Sequence, residues 1–219
     1  IQRPAVSGKD SLSSTYRGKD GTVIKIPPVL CISLFGRIPD VSKTASADIK
    51  RPDKSVLVLA GALDADAMGG SVYYDLHGFT GNRLPKVDIA NLHTQCMAVH
   101  RAIIGGWVLA CHDVSEGGVA VSLAEMCFGG DCGASIDVRS LGQGRADHLL
   151  FNEMAGCFLL EVDPTILTDD FLTGVHWRVI GSTTEAHSIE VANGGVPIFS
   201  VSVEALKKAW AKPMREVFP

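Results

Sequence analysis

Ala110-Cys111-His112-Asp113-Val114-Ser115-Glu116-Gly117-Gly118 runs directly into Val119-Ala120-Val121-Ser122-Leu123-Ala124-Glu125-Met126, and two periodicities meet there. Residues 107–111 form a short apolar run, read as a buried strand. From about 117 to 128 apolar residues recur at helical spacing. Between the two lie a His, an Asp, a Ser, a Glu and a pair of glycines. In α/β proteins a strand that hands over to a helix through such a loop aims backbone N–H groups outward, towards ligands. The stretch therefore predicts both a fold class and a candidate site.

The flanking sequence repeats this alternation. Residues 55–61 predict a buried strand, 68–76 a short helix opened by Gly69-Gly70, and 88–104 a helix with apolar Ile89, Leu92, Cys96, Val99 and Ile103 on one face. Beyond the junction, 133–138 reads as a half-buried strand, 145–155 as a helix and 157–162 as a buried strand. Asp163-Pro164 has the form of a helix start, Asp as N-cap and Pro at the first position. Three short strands follow at 178–183, 187–191 and 196–202; the hairpin turn is Ala192-Asn193-Gly194-Gly195, and 204–210 closes as a helix.

Upstream, 7–14 is a glycine-bearing loop and 18–21 a turn, and the apolar run 29–36 reads as a strand buried on both faces. Residues 47–54 are polar and read as a linker. The expected fold is α/β with an α+β mixed sheet and helices on one face. Its β-rich part is 1–50 and its α/β domain 55–219.

The chain has 219 residues, 46% hydrophobic and 20% charged, enough to bury a core. Twenty Lys and Arg against 24 Asp and Glu give a net charge of −4, which argues against a general nucleic-acid binder. The six cysteines sit mostly in apolar runs, as buried free thiols do. Cys127 and Cys132 flank Gly129-Gly130, but no second Cys or His pair completes a zinc pattern. Free thiols point to a reducing cytoplasm. Residues 1–14 lack the apolar core of a signal peptide, and no apolar run approaches the ~18 residues a membrane helix needs. The opening Ile-Gln-Arg-Pro-Ala-Val reads like the middle of a domain, as in a piece of a longer protein.

Three places could carry chemistry. In Ser7-Gly8-Lys9-Asp10-Ser11-Leu12-Ser13-Ser14, Gly8 lets a phosphate approach, Lys9 neutralises it, Ser11 donates to it and Asp10 can hold Mg²⁺. The earlier glycine of a P-loop is missing and Asp10 follows the Lys, so the P-loop reading fails. An ordinary Asx or Ser turn explains the stretch equally well. In the 112–118 loop, Asp113 could ligate Mg²⁺, and Ser115 with the N–H groups of Gly117 and Gly118 could bind an anion. Helix capping by Ser115 is the plainer account, but it leaves His112, Asp113 and the double glycine unexplained. In Phe151-Asn152-Glu153-Met154, Asn152 and Glu153 could face the same cleft as Asp113, or simply form an exposed helix end. Cys111 and His112 are strand neighbours on opposite faces and cannot act together directly.

The order of these segments resembles one family. Ser7-Gly8-Lys9-Asp10-Ser11, Ile26-Pro27-Pro28 and Gly36-Arg37-Ile38-Pro39-Asp40-Val41 are similar to parts of phosphoribosylformylglycinamidine synthase, the amidotransferase of purine biosynthesis. So are Met68-Gly69-Gly70-Ser71, the 112–126 block and Leu150-Phe151-Asn152-Glu153. The resemblance covers essentially the whole chain. It implies the C-terminal part of the synthetase subunit: the end of an amino-terminal-type domain, then a complete carboxy-terminal-type domain of the aminoimidazole ribonucleotide synthase-like fold.

Such an enzyme is a carbon–nitrogen ligase that uses ATP and Mg²⁺ on formylglycinamide ribonucleotide, with ammonia supplied by a glutaminase domain or subunit. Carried over by position, Gly8, Lys9 and Ser11 would meet ATP or substrate, and Asp10 the metal. His112, Asp113, Ser115, Gly117, Gly118, Asn152 and Glu153 would form an auxiliary pocket, Asp113 being a second metal ligand. The first half of the enzyme would hold the main reaction, so this chain is expected to be inactive alone. Two other readings stand: a scaffold module that holds a nucleotide without turnover, or another ATP-using enzyme of the superfamily, such as selenophosphate synthase, thiamine-monophosphate kinase or aminoimidazole ribonucleotide synthase. No nucleic acid or membrane partner is expected, and an exposed apolar edge near 29–35 would invite self-association.

Overall fold

The computed structural model describes residues 7–8, 15–25, 31–168 and 170–218. The chain divides into two compact units, Ile1–Pro39 and Asp40–Pro219. In the smaller, β1 (Thr15–Arg17) pairs antiparallel with β2 (Val23–Lys25). The Gly18 N–H donates to the Thr22 carbonyl at 2.8 Å, and the Asp20 carboxylate accepts the Thr22 N–H at 3.0 Å. The buried strand expected over 29–36 does not form in residues 31–36. They are irregular, and Ile32, Leu34 and Phe35 are exposed, Phe35 to 94%. Apolarity alone does not make a strand; its backbone needs a neighbour to pair with. Among the described residues of this unit only β1 and β2 pair, and they pair with each other.

The larger unit is built on one seven-stranded sheet. Its strands are β3 (Val56–Ala60), β4 (Val108–Asp113), β5 (Gly133–Asp137), β6 (Phe158–Val162), β7 (Trp177–Thr184), β8 (Ser188–Asn193) and β9 (Val196–Ser202). They lie in the order β4-β6-β3-β7-β5-β8-β9. Every neighbouring pair is antiparallel except β5 and β8, so the sheet is mixed, as expected.

Alternation along the central strand sets the layers. Leu57 and Leu59 enter one core; Val58 and Ala60 enter another on the opposite face. Helix α3 (Gly118–Gly130) covers the first with Val119, Leu123 and Met126. It is joined there by Leu149 and Leu150 of α4 (Ala146–Leu150) and Val203 of α5 (Val203–Val217). Helix α2 (Ile89–Ile104) lays Ala98, Val99 and Ala102 against Val58, Leu160 and Val162 on the second. Helices on one face only was therefore wrong. Successive apolar residues in β3 and β6 are buried on both sides and need a cover on each.

Local chemistry explains most boundaries. The Asp88 carboxylate caps α2, accepting the N–H groups of Ala90 and Asn91 at 3.0 and 3.2 Å. Ser202 caps α5 by accepting the Ala205 N–H at 3.3 Å. Helix α5 continues past Trp210 with Pro213 inside it; the missing N–H falls on an exposed turn. Residues 47–54 are not a free connector. Ile49 is buried and its N–H donates to the Met126 carbonyl at 3.3 Å, while the Ser46 carbonyl accepts the Cys111 N–H at 3.0 Å. Among the described residues no helix is long and apolar enough to cross a membrane.

Candidate functional site

Strand β4 carries His112 and Asp113 to one end of the sheet, and the chain then turns into α3. The turn is fixed on its inner side by Val114, buried, whose N–H donates to the Cys157 carbonyl at 2.8 Å. Gly118 has a φ of +68°, and a Cβ there would sit 2.7 Å from the Leu150 carbonyl oxygen. Only glycine lets this loop press so closely on the end of α4. Ser115, expected as the N-cap, does not cap α3. Gly117, in the left-handed conformation, holds that position, and Ser115 offers only its carbonyl, to the Gly118 N–H at 3.0 Å.

The free donor at this end is met from another segment. Glu153 Oε1 accepts the Gly117 N–H at 3.0 Å and also the Val72 N–H at 2.9 Å. Val72 opens α1 (Val72–Leu76), so one carboxylate closes two turns whose N–H groups have no helical partner. This shortens the helix expected over 145–155 to α4, because residues 152 and 153 leave helical geometry to make tertiary bonds.

The remaining residues go to different tasks. Asn152 is fully buried; its Nδ2 donates to the carbonyls of Asp64 and Ala67 at 2.8 and 3.2 Å. Its Oδ1 is buried without a partner among the described residues. Asn152 therefore faces no open cleft shared with Asp113; it staples the loop after β3. His112 Nε2 lies 2.9 Å from Glu125 Oε2, and Glu125 Oε1 accepts the Trp210 indole N–H at 3.2 Å. Asp113 projects to solvent, its side chain 68% exposed, with a carboxylate oxygen 3.6 Å from His112 Nδ1. Ser115 is exposed. The structure thus joins Gly117, Gly118 and Glu153, leaves Asp113 and Ser115 at the surface, and seals Asn152 inside. Gly8 is exposed, and Lys9, Asp10 and Ser11 lie outside the described residues. Among the described residues no three His, Cys, Asp or Glu side chains converge on a metal position.

All six cysteines are free. Burial pushes the Cys127 thiol up to about 12 and that of Cys111 to about 11, so neither is a nucleophile near neutral pH. Cys111 packs with the α2-side core, whereas His112 bonds to Glu125 of α3; the two do sit on opposite faces.

Two clusters near this end were not singled out in the one-dimensional pattern. Asp147 accepts from Arg145 Nη2 at 2.7 Å and from the Tyr73 hydroxyl at 2.9 Å, and the Arg145 guanidinium beside it holds its carboxyl down to about 2. Tyr73 also stacks on Phe151, ring centroids 4.8 Å apart. Second, Arg83 pairs with Asp64 at 2.7 Å and Asp66 at 3.3 Å. Arg145 followed two residues on by Asp147 was a local clue; the Arg83 contacts span a loop and left none.

Comparison with known proteins assigns this architecture. The family model "AIR synthase related protein, C-terminal domain" matches residues 51–192. A phosphoribosylformylglycinamidine synthase subunit from Deinococcus radiodurans is 30% identical over 224 residues, covering 99% of this chain and 30% of that protein. The corresponding subunit from Thermus thermophilus is 33% identical over 218 residues, covering 98% of this chain and 28% of that one. The chain thus spans less than a third of the length of these curated relatives. Among solved structures, Thermotoga maritima PurL complexed with FGAR superposes with a TM-score of 0.65 at 18% identity, over 76% of this chain and 30% of that one. Escherichia coli HypE gives 0.54 at 17% identity, over 73% of this chain and 52% of that one. At such identities the superpositions establish the fold.

Proposed function

Because the chain belongs to the family described as AIR synthase related protein, C-terminal domain, we propose that it is the C-terminal part of the synthetase subunit of a phosphoribosylformylglycinamidine synthase. Residues 1–50 would be the end of an amino-terminal-type domain and 55–219 a complete carboxy-terminal-type domain. In the whole enzyme the γ-phosphoryl group of ATP passes to the amide oxygen of formylglycinamide ribonucleotide, giving ADP. Ammonia from a glutaminase domain or subunit then adds to the activated carbon. Phosphate leaves with that oxygen and the amidine remains. Mg²⁺, held by Asp10 and at a second position by Asp113, would supply charge neutralisation on the phosphates.

One observation carries this reading: synthetase subunits from two bacteria align with 98–99% of this chain, whose residues 51–192 match the family model. Gly8, Lys9 and Ser11 are proposed for ATP or substrate, with Asp10 on the metal. Asp113 suits a second, weaker metal position: it is an exposed carboxylate with no Lys or Arg partner among the described residues, and Mg²⁺ binds through one or two carboxylates while keeping several waters. His112, Asp113 and Ser115 are proposed as the wall of an auxiliary nucleotide pocket, in a cytoplasmic enzyme; Asn152, sealed inside, and Glu153, bonded to the N–H groups of Gly117 and Val72, brace that wall from behind.

One contact favours a purely structural role for the 112–118 turn over nucleotide holding at that turn. The Glu153 carboxylate already takes the N–H groups of Gly117 and Val72 that a bound anion would use. Ammonia- and ATP-dependent amidine formation, assayed on this chain and on the longer natural protein that contains it, tests the proposal. Turnover by the longer protein and none by the chain is the expected result. Turnover by neither rejects it. Calorimetric ATP binding by the chain without turnover supports a nucleotide-holding role for this part.

A further inference from the structure

A cavity of about 500 Å³ opens beside the loop after β3, away from the 112–118 turn. Three guanidinium groups line it, each from a separate element. Arg83 comes from the loop between α1 and α2, Arg139 from the 3-10 turn Val138–Leu141 after β5, and Arg178 from the start of β7. We propose that this cavity is an oxyanion site that takes a phosphate-bearing small molecule. It uses none of the residues assigned above to ATP, metal or the auxiliary pocket, and it does not depend on that assignment.

The charge balance is the first argument. Arg83 is matched by Asp64 and Asp66, both in the cavity wall, at 2.7 and 3.3 Å. Arg139 and Arg178 are not matched: among the described residues neither has a carboxylate within ion-pair reach. Arg139 Nε donates to the neutral Asn193 Oδ1 at 3.3 Å, and Arg178 Nη2 meets His176 Nε2. Asp137 lies close to Arg139, but its carboxylate is committed to the N–H groups of Gly194, Gly195 and Arg139, at 2.9, 2.8 and 2.9 Å. The lining therefore sets three guanidinium groups against two carboxylates, and both carboxylates are spent on Arg83, so Arg139 and Arg178 present a surplus positive charge that a bound anion offsets.

An unused donor is the second argument. Arg178 Nε is buried and has no acceptor among the described residues, whereas Arg139, which is exposed, bonds Asn193 through its Nε. A buried donor without a partner is costly, and a bound oxygen would relieve it. Guanidinium forks match carboxylate and phosphate geometry, but a carboxylate has two oxygens to a phosphate's three or more, so two forks favour phosphate. The cavity is also larger than the ion, within the usual size of metabolite pockets, and leaves room for an organic group.

Its walls are fixed. Gly144 has a φ of +138°, and a Cβ there would sit 2.5 Å from Ala65 Cβ, so the loop after the 3-10 turn packs directly on the loop that carries Asp64 and Asp66. Arg178 Nη1 would lie 3.6 Å from a Cβ on Gly142.

The test is calorimetric titration of the full chain with inorganic phosphate at constant ionic strength, repeated with acetate. The expected result is saturable one-site phosphate binding with acetate weaker. Arg139→Gln and Arg178→Gln should each weaken phosphate binding about tenfold. Arg178→Lys should also weaken it, because charge without the fork is insufficient. Lys207→Gln on α5 removes the same charge elsewhere and should change nothing. Arg139 is exposed, so its variant keeps its fold and the result can be read even if Arg178 variants unfold. No saturable binding to the wild type, acetate binding as well as phosphate, or equal weakening by Arg139→Gln and Lys207→Gln overturns the proposal.

Discussion

Glu161 is fully buried on β6, and the N–H groups of Lys50 and Arg51, each 2.8 Å from its carboxylate, together with the Ser55 hydroxyl at 2.6 Å, hold it there. Ser55 Oγ in turn lies 2.8 Å from Thr183 Oγ1 of β7. A buried carboxylate without a cation is tolerable only when hydrogen bonds replace its water. Glu161→Ala leaves these donors unpaired and opens a hole; the expected cost is about 3 kcal/mol, read from urea unfolding. A loss below about 1 kcal/mol would mean that water restores the network.

Asp147 gives a pH signature at the same scale. Arg145 above all, then Tyr73, depresses its native carboxyl from 3.8 to about 2. A depressed native value adds stability that is fully present above 3.8 and is lost as the pH falls through about 2. Asp147→Asn should therefore lose less stability across that window than the wild type, in denaturant melts at stepped pH. Parallel curves would show that the ion pair is indifferent to folding.

At the scale of elements, hydrophobic periodicity was a good guide wherever packing repeats a local pattern. Strand β3, helix α2 and strand β9 lie within a residue or so of their expected places. Errors arose where a partner distant in sequence decides the matter. The polar 47–54 stretch looks like a linker until Glu161, more than a hundred residues away, takes its N–H groups. Helix α4 stops early because Asn152 and Glu153 bond elsewhere. The junction of β4 and α3 was legible as strand, glycine turn and helix; its cap was not, because Glu153 rather than Ser115 meets the free N–H. The Arg83, Arg139 and Arg178 convergence is a product of strand order, which one-dimensional spacing does not encode. Gly118→Ala tests the close approach of α3 to α4. With a φ of +68° and a Cβ 2.7 Å from the Leu150 oxygen, it should cost about 2–3 kcal/mol by thermal unfolding. Gly36→Ala, where a Cβ would meet nothing within 4 Å, should be silent. Equal melting of both variants contradicts the packing described.

For the whole molecule, the exposed run containing Ile32, Leu34 and Phe35 has a direct consequence. Contiguous apolar surface drives association. Sedimentation velocity should show the chain associating with rising concentration, and Leu34→Ser with Phe35→Ser should reduce that association. Concentration-independent sedimentation of the unaltered chain would show that this run does not self-associate.

The proposed place in an ATP-dependent amidotransferase makes a prediction about atoms. If phosphoryl transfer activates the amide oxygen, that oxygen must depart with phosphate. Formylglycinamide ribonucleotide labelled with ¹⁸O at that amide, turned over by the longer natural protein with ATP and ammonia, should release inorganic phosphate carrying the label. Amidine formed with unlabelled phosphate would contradict the account.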